Sequence, residues 1–199
     1  MKRICTMLAL ALLLAGCVTS KNPIGQTVGF KPDPALIGVW TGQQEGKKDA
    51  PLFTVYFLPK KDGDMTALAI GLPSANDEGG WTAIDLKVAT LGATRFMSAR
   101  EILDDGVAPK DMPDYTLLLY RFRDDNTLMI YDLDRQKIGA LVDSGKLAGK
   151  AEKSDTKNEW DDVLITADSI ALDAFMKTPQ AAALFSGKPM VLHRQKPPQ

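Results

Sequence analysis

YTLLLYRFRDDNTLMIYDL, residues 115–133, decides how this chain folds. Two β-prone runs, Tyr115 to Phe122 and Thr127 to Leu133, flank Asp124-Asp125-Asn126. Apolar and aromatic runs on either side of a short Asp/Asn turn read as a β-hairpin. Upstream the same grammar repeats. Trp81 to Thr90 alternates, with Ile84, Leu86 and Val88 on one face and Asp85 and Lys87 on the other. Leu91-Gly92 turns the chain into Thr94 to Arg100. Leu52 to Leu58 and Met65 to Leu72 meet across Lys60-Lys61-Asp62-Gly63-Asp64, where Asp-Gly accepts the positive φ of a tight hairpin. Leu36 to Thr41 is a first short strand, and Pro73 to Gly80 and Asp104 to Asp114 are loops.

Downstream the period changes. Arg135 to Ser144 carries Ile138, Leu141 and Val142 at helical spacing, with Asp134 as its N-cap and Gly145 at its end. Lys146 to Glu152 and Val163 to Thr166 read as strands. Asp168 caps a helix from Ser169 to Lys177 that buries Leu172, Phe175 and Met176. Thr178-Pro179 opens a short helix through Phe185, because Pro suits the first helical turn. Met190 to Arg194 is a closing strand, and Lys196 to Gln199 a frayed tail. Eight or nine short strands and two or three late helices predict a mainly β (α+β) domain over residues 35–195. Its expected form is an antiparallel barrel or sandwich covered by C-terminal helices.

The N-terminus carries a different signal. Met1-Lys2-Arg3 is basic, and an apolar run of about a dozen residues follows, short of the ~20 that a membrane span needs. Leu14-Ala15-Gly16-Cys17 comes next. This segment resembles the signal and lipobox of bacterial lipoproteins. The resemblance implies removal of residues 1–16, diacylglyceryl transfer to the Cys17 thiol and acylation of the new N-terminus. Val18 rather than Asp after the cysteine implies sorting to the outer membrane, facing the periplasm. Several acyl chains anchor stably where one binds only marginally. Val18 to Pro34 contains three prolines and no hydrophobic periodicity, so residues 17–34 are expected to form a lipidated tether, with Phe30 docking on the domain.

Composition excludes several functions. The 199 residues carry 24 Lys+Arg against 25 Asp+Glu, so no basic footprint for nucleic acid exists. Loss of Lys2 and Arg3 would make the mature chain more acidic still. With 2 Cys, one of them in the removed segment, no disulfide framework or Cys-rich zinc site can form. The single His rules out a multi-His metal centre. No cofactor is expected.

Gly38-Val39-Trp40 on the first strand resembles the Gly-x-Trp signature of lipocalins and other calycins. In that family a late Arg packs across the Trp and closes the barrel base. The resemblance implies a lipocalin-like barrel with Trp40 and Arg194 as the closing pair. The span from Phe96 to Arg194 is also similar to uncharacterised bacterial proteins. The shared pattern is Ser98, Arg100 and Glu101, a Tyr-rich hairpin, Gly145-x-Leu147-x-Gly149, then Leu184-Phe185 before the final strand.

Familiar catalytic patterns are absent: no Gly-x-Ser-x-Gly, no phosphate-binding loop, no His-Glu-x-x-His, no Cys-x-x-Cys. His193 has no nucleophile at a recognisable spacing and reads as a strand histidine rather than a general base. The pairs Asp104-Asp105, Asp124-Asp125, Asp132/Asp134 and Asp161-Asp162 sit at turns and strand ends, where Asp holds the backbone. Tyr56, Phe57, Trp81, Phe96, Tyr120 and Tyr131 are candidates to line an apolar pocket, against the simpler reading of a β-core. The expectation is a non-enzymatic envelope lipoprotein. It would bind an apolar small molecule or lipid, or serve an envelope protein partner as an assembly or scaffold accessory.

Overall fold

The computed structural model describes residues 18–42, 53–71, 79–154 and 159–195. The segment 1–16 and Cys17 lie outside the described residues. Eight strands close on themselves: β2 (Gly38–Gly42), β3 (Phe53–Pro59), β4 (Met65–Gly71), β5 (Gly80–Leu91), β6 (Thr94–Asp104), β7 (Tyr115–Asp124), β8 (Thr127–Asp132) and β11 (Met190–Arg194). Each pairs antiparallel with the next, β6 pairs with β7, and β11 bridges β8 and β2. The result is the closed antiparallel barrel of lipocalin-like form. Closure removes the free edges that an open sheet would expose.

The hairpins are local. Lys60 N–H donates to the Asp64 carbonyl at 2.8 Å, with Gly63 at φ 90°. Asp124 accepts from the Asn126 amide at 2.9 Å. Alternation then fixes the interior: Val55, Phe57, Ala67, Leu86, Met97 and Leu118 are buried inside the ring. Their chain neighbours Tyr56, Leu68 and Lys87 face out and are partly exposed.

A second layer covers one outer wall. β1 (Val18–Ser20), β9 (Gly149–Lys153) and β10 (Trp160–Ile165) extend the sheet from β7. β8 ends at Asp132, opposite Leu118, and β1 takes over the same edge of β7 at the Thr19–Thr116 and Ser20–Tyr115 pairs. Three helices follow: α1 (Arg135–Asp143), α2 (Ser169–Met176) and α3 (Pro179–Ala182). They bury a second core against the outer faces of β6 and β7, built from Phe96, Leu117, Leu119, Ile138, Trp160 and Leu172. β7 is therefore buried on both faces, which explains its unbroken apolar start. Among the described residues no helix is long and apolar enough to cross a membrane.

The expected tether is corrected here. Residues 18–34 are packed onto the domain. Val18 and Ile24 are buried, and the Ile24 amide donates to Ser98 Oγ at 3.0 Å. Lys31 N–H donates to the Val88 carbonyl, and Lys87 sits 5.5 Å from the Phe30 ring centroid. The prolines and glycines set the bends of a strap. What composition could not show was the vacant edge of β7 and the apolar wall that the strap covers.

Candidate functional site

The barrel base is built from both ends of the domain. Leu36 is buried there, and the Trp40 indole N–H donates to its carbonyl at 2.7 Å. Trp40 is 0% exposed. The Arg194 guanidinium lies 4.3 Å from the Trp40 ring centroid. It donates from Nη1 to Ile37 O at 2.8 Å, from Nε to Asp125 O at 3.2 Å, and from Nη2 to Ala35 O. One side chain thus ties the link between the strap and β2 to the β7–β8 hairpin. Gly38 explains its own place in Gly-x-Trp. Its φ is 132°, and a Cβ there would meet Arg194 Nη1 at 3.0 Å. Tyr120 reaches the base from inside, and its hydroxyl donates to Asp33 Oδ2 at 2.9 Å. Burial, then the Asp33 charge, pushes its phenol well above the ordinary tyrosine range.

Above the base the interior is nearly full. A void of about 40 Å³ remains, lined by apolar side chains that include Phe57, Ala67, Ala69, Met97, Ala99 and Met190. A site for a drug-sized or lipid ligand needs roughly 300–1,000 Å³. The small alanines narrow the ring without filling it, and the methionines are its most adaptable walls.

The six aromatic candidates do not form one pocket. Phe57 lines the void and Tyr120 belongs to the barrel core. Tyr56 is half-buried on the opposite face of β3, as period two requires of Phe57's neighbour. Phe96 packs outside the barrel against Phe185, ring centroids 5.5 Å apart. Tyr131 lies on the outer wall near Arg121, and Trp81 is 37% exposed.

His193 is exposed on β11, in register with Thr41 and Thr127. Within the acidic pairs, Asp105, Asp124 and Asp134 hold backbone. Asp105 accepts from the Trp81 amide at 2.8 Å. Asp134 caps α1 by accepting from the Gln136 and Lys137 amides, both at 3.1 Å. Asp132, Asp161 and Asp162 are exposed. No cluster of three or more His, Cys, Asp or Glu that could hold a metal exists among the described residues.

Two polar features escape a sequence reading. Asp85, buried on the outer wall, meets Lys60 at 3.1 Å, Arg100 at 3.4 Å and Lys87 at 3.8 Å, while Lys87 also pairs with Asp64. Its hydrogen bond raises the Lys60 pKa against the opposing effect of burial. Arg100 also lies 4.5 Å from the Tyr115 ring centroid. This is a knot of paired charges between the β3–β4 hairpin and β5–β6. The alternation of Asp85 and Lys87 with Ile84 and Leu86 was visible, but Lys60 and Asp64 come from the β3–β4 turn and Arg100 from β6. The second is Asp173 of α2, 1% exposed. It accepts from Gly25 N–H at 2.6 Å, Thr27 N–H at 2.8 Å and Thr27 Oγ1 at 2.5 Å. An acidic residue beside Leu172 on the buried stripe of an amphipathic helix was its one available signal.

Comparison with known proteins adds no relative: no family model matches the chain, no curated protein matches it, and no solved structure matches it.

Proposed function

We propose that this chain is a non-enzymatic lipoprotein of the bacterial envelope, anchored through acylated Cys17 on the periplasmic face of the outer membrane, and that it works through its outer surface as an assembly or docking accessory. The observation that carries the surface role is the filled barrel. A void of about 40 Å³ leaves no room for a carried lipid unless the interior repacks. The exposed apolar side chains at the strand ends opposite Trp40 supply a surface. Trp81 lies against the Asp105-Gly106 turn, where Val107 is 70% exposed. Crosslinking in intact cells tests the role directly. A partner recovered with the parent protein and lost with Trp81→Asp supports it. A clean monomer in vivo counts against it.

A second reading, the binding of an apolar small molecule or lipid, rests on the purely apolar lining of that void and its two methionines. Native mass spectrometry of protein extracted from cells distinguishes the two. The ligand reading expects a bound mass that Ala99→Leu removes by filling the void. The docking reading expects apo protein, and crosslinks that Ala99→Leu leaves unchanged.

A further inference from the structure

The base of the barrel carries a cleft on its outer side. Thr90 and Arg95 pair across the β5–β6 hairpin, two residues beyond the Val88–Met97 pair that is buried in the barrel core. Period two keeps all four side chains on the inner face, so Thr90 and Arg95 project past the last filled layer. Tyr120 pairs with Arg95 from β7 and forms the floor. The strap crosses in front. Its Lys31 amide donates to the Val88 carbonyl at 3.1 Å, which sets Val28 to Pro34 opposite the hairpin. Between strap and hairpin lies a cleft of about 420 Å³, within the roughly 300–1,000 Å³ of small-molecule sites. It shares no lining residue with the void inside the barrel.

The charged groups of the cleft are unevenly satisfied. Both oxygens of Asp33 are engaged: Oδ1 accepts from the Ala35 amide at 2.9 Å and Oδ2 from the Tyr120 hydroxyl at 2.9 Å. Arg95 is held but not satisfied. Its guanidinium lies 5.5 Å from the Phe122 ring centroid, and its Nε is 3.8 Å from Asp33 Oδ2, too long for a hydrogen bond. Among the described residues it donates to no acceptor. Arg194, at the same base, shows the contrast, because its guanidinium is spent on three backbone carbonyls. Lys31 is exposed, and no carboxylate among the described residues pairs with it. Two cations against one committed carboxylate leave the cleft positive. The other walls are apolar: Val28 is 46% exposed, and Pro32 and Pro34 have no N–H to offer.

We propose that this cleft binds a small organic carboxylate, with its charged end on Arg95 and Lys31 and a compact apolar body against Val28, Pro32 and Pro34. The planar fork of an arginine matches a carboxylate through two parallel hydrogen bonds, and packing against Phe122 holds that fork ready. A cationic ligand finds no acceptor here, since Asp33 is already occupied and Arg95 stands beside it. An inorganic anion would leave the apolar walls unused. The cleft lies outside the barrel, so the site stands whether or not the interior holds a ligand.

Benzoate is the probe, with benzamide as its uncharged counterpart and inorganic phosphate as an anion without an apolar body. The full chain, isotope-labelled and purified in detergent, is titrated at constant ionic strength. The Arg95 Nε–H and the amides of Thr90 and Gly29 are followed by NMR. Benzoate should shift all three saturably, with half-saturation at about 1 mM, the affinity open to so small a ligand. Benzamide and phosphate should bind more weakly by about tenfold or more. Arg95→Lys keeps the charge and loses the fork, and should weaken benzoate about tenfold as read from the two amides. Val28→Glu, at a side chain already 46% exposed, sets a like charge against the carboxylate and should abolish the shifts. Unchanged amide dispersion elsewhere in the two variants shows that the fold is kept. Amides of the parent that do not move at about ten times the expected half-saturation would overturn the site. So would benzamide or phosphate binding as tightly as benzoate, or benzoate shifts that survive both substitutions.

Discussion

The two cores of this molecule share strands and differ in how they are closed. Inside the barrel, Trp40, Val55, Phe57, Leu86, Leu118 and Leu192 pack within a ring in which every strand has two partners. Outside it, Phe96, Leu119, Ile138, Trp160, Val163 and Leu172 are covered by three short helices and a sheet that ends at β9. That edge is thin and charged: Lys150, Glu152 and Lys153 are exposed on it, which blunts pairing with another chain. The inner core is closed by neighbouring hairpins. The outer one is closed by segments from the two ends of the chain, held by single polar contacts such as Asp173. Cooperativity runs between them through β6 and β7, so the interior is the firmer and the outer layer should open first.

Replacing Trp40 with Ala should have the largest effect. Truncating a fully buried aromatic costs about 3–5 kcal/mol, and this one also carries the Arg194 stack. The expectation is a fall in Tm of about 10 °C or more by calorimetry. Trp160→Ala, in the outer core, should cost less, because Trp160 is partly accessible and sits under Lys153, 4.5 Å from its ring centroid. Equal losses at the two tryptophans would break the distinction between the cores.

Asp173→Asn comes next. Its carboxylate accepts three hydrogen bonds from the strap, and an amide in the same place offers one oxygen in place of two. Hydrogen bonds to charged groups are worth about 1.5–3 kcal/mol each, and a stranded buried donor costs about as much. The expected loss is about 2–3 kcal/mol, falling on the strap more than on the barrel. Chymotryptic cleavage after Phe30 should accelerate, while amide exchange in β3 and β4 stays near that of the parent. Unchanged cleavage would mean that the strap is held by Ile24 and Leu36 alone.

The same contrast explains what could be read in advance. The hairpins, both longer helices and an antiparallel barrel-or-sandwich class follow from period two, period 3.6 and Asp/Gly turns, all local signals, which do not choose between barrel and sandwich. Gly38, Trp40 and Arg194 were legible because the calycin resemblance pairs residues 154 or more positions apart, which periodicity cannot do. The strap was not legible. Val18 and Ile24 are isolated apolar residues among prolines and polar groups, and their burial depends on where β8 happens to stop. The aromatic pocket failed for the opposite reason. Counting aromatics on strands ignores which face each occupies, and Tyr56 and Phe57 cannot share one. Gly139 shows the limit again: inside a helix it looks like a weak point, yet a Cβ there would meet Trp160 Cγ at 2.3 Å. Only the position of the partner turns that glycine into a requirement.

The smallest effect should come from Asp134, where the outer layer is held by a helix cap. Burial alone would raise its pKa. The hydrogen bonds from Ser186 and from Lys137, backbone and side chain, outweigh burial and hold the carboxyl below its ordinary value. Ser186 Oγ donates to it at 2.8 Å and Lys137 Nζ lies at 3.3 Å, so the cap also joins α1 to the turn after α3. Asp134→Ala should cost about 1 kcal/mol near neutral pH, the usual worth of an N-cap. A carboxyl whose folded pKa is depressed contributes its full stabilisation above its unfolded pKa of about 3.9, and loses it as pH falls through the folded value. The gap in stability between parent and variant should therefore be constant from about pH 7 to 5 and narrow below about pH 4. Urea titrations at a series of pH values measure that gap. A gap that persists undiminished into strong acid would mean that the carboxylate charge is irrelevant there, and that α1 rests on the outer core by packing alone.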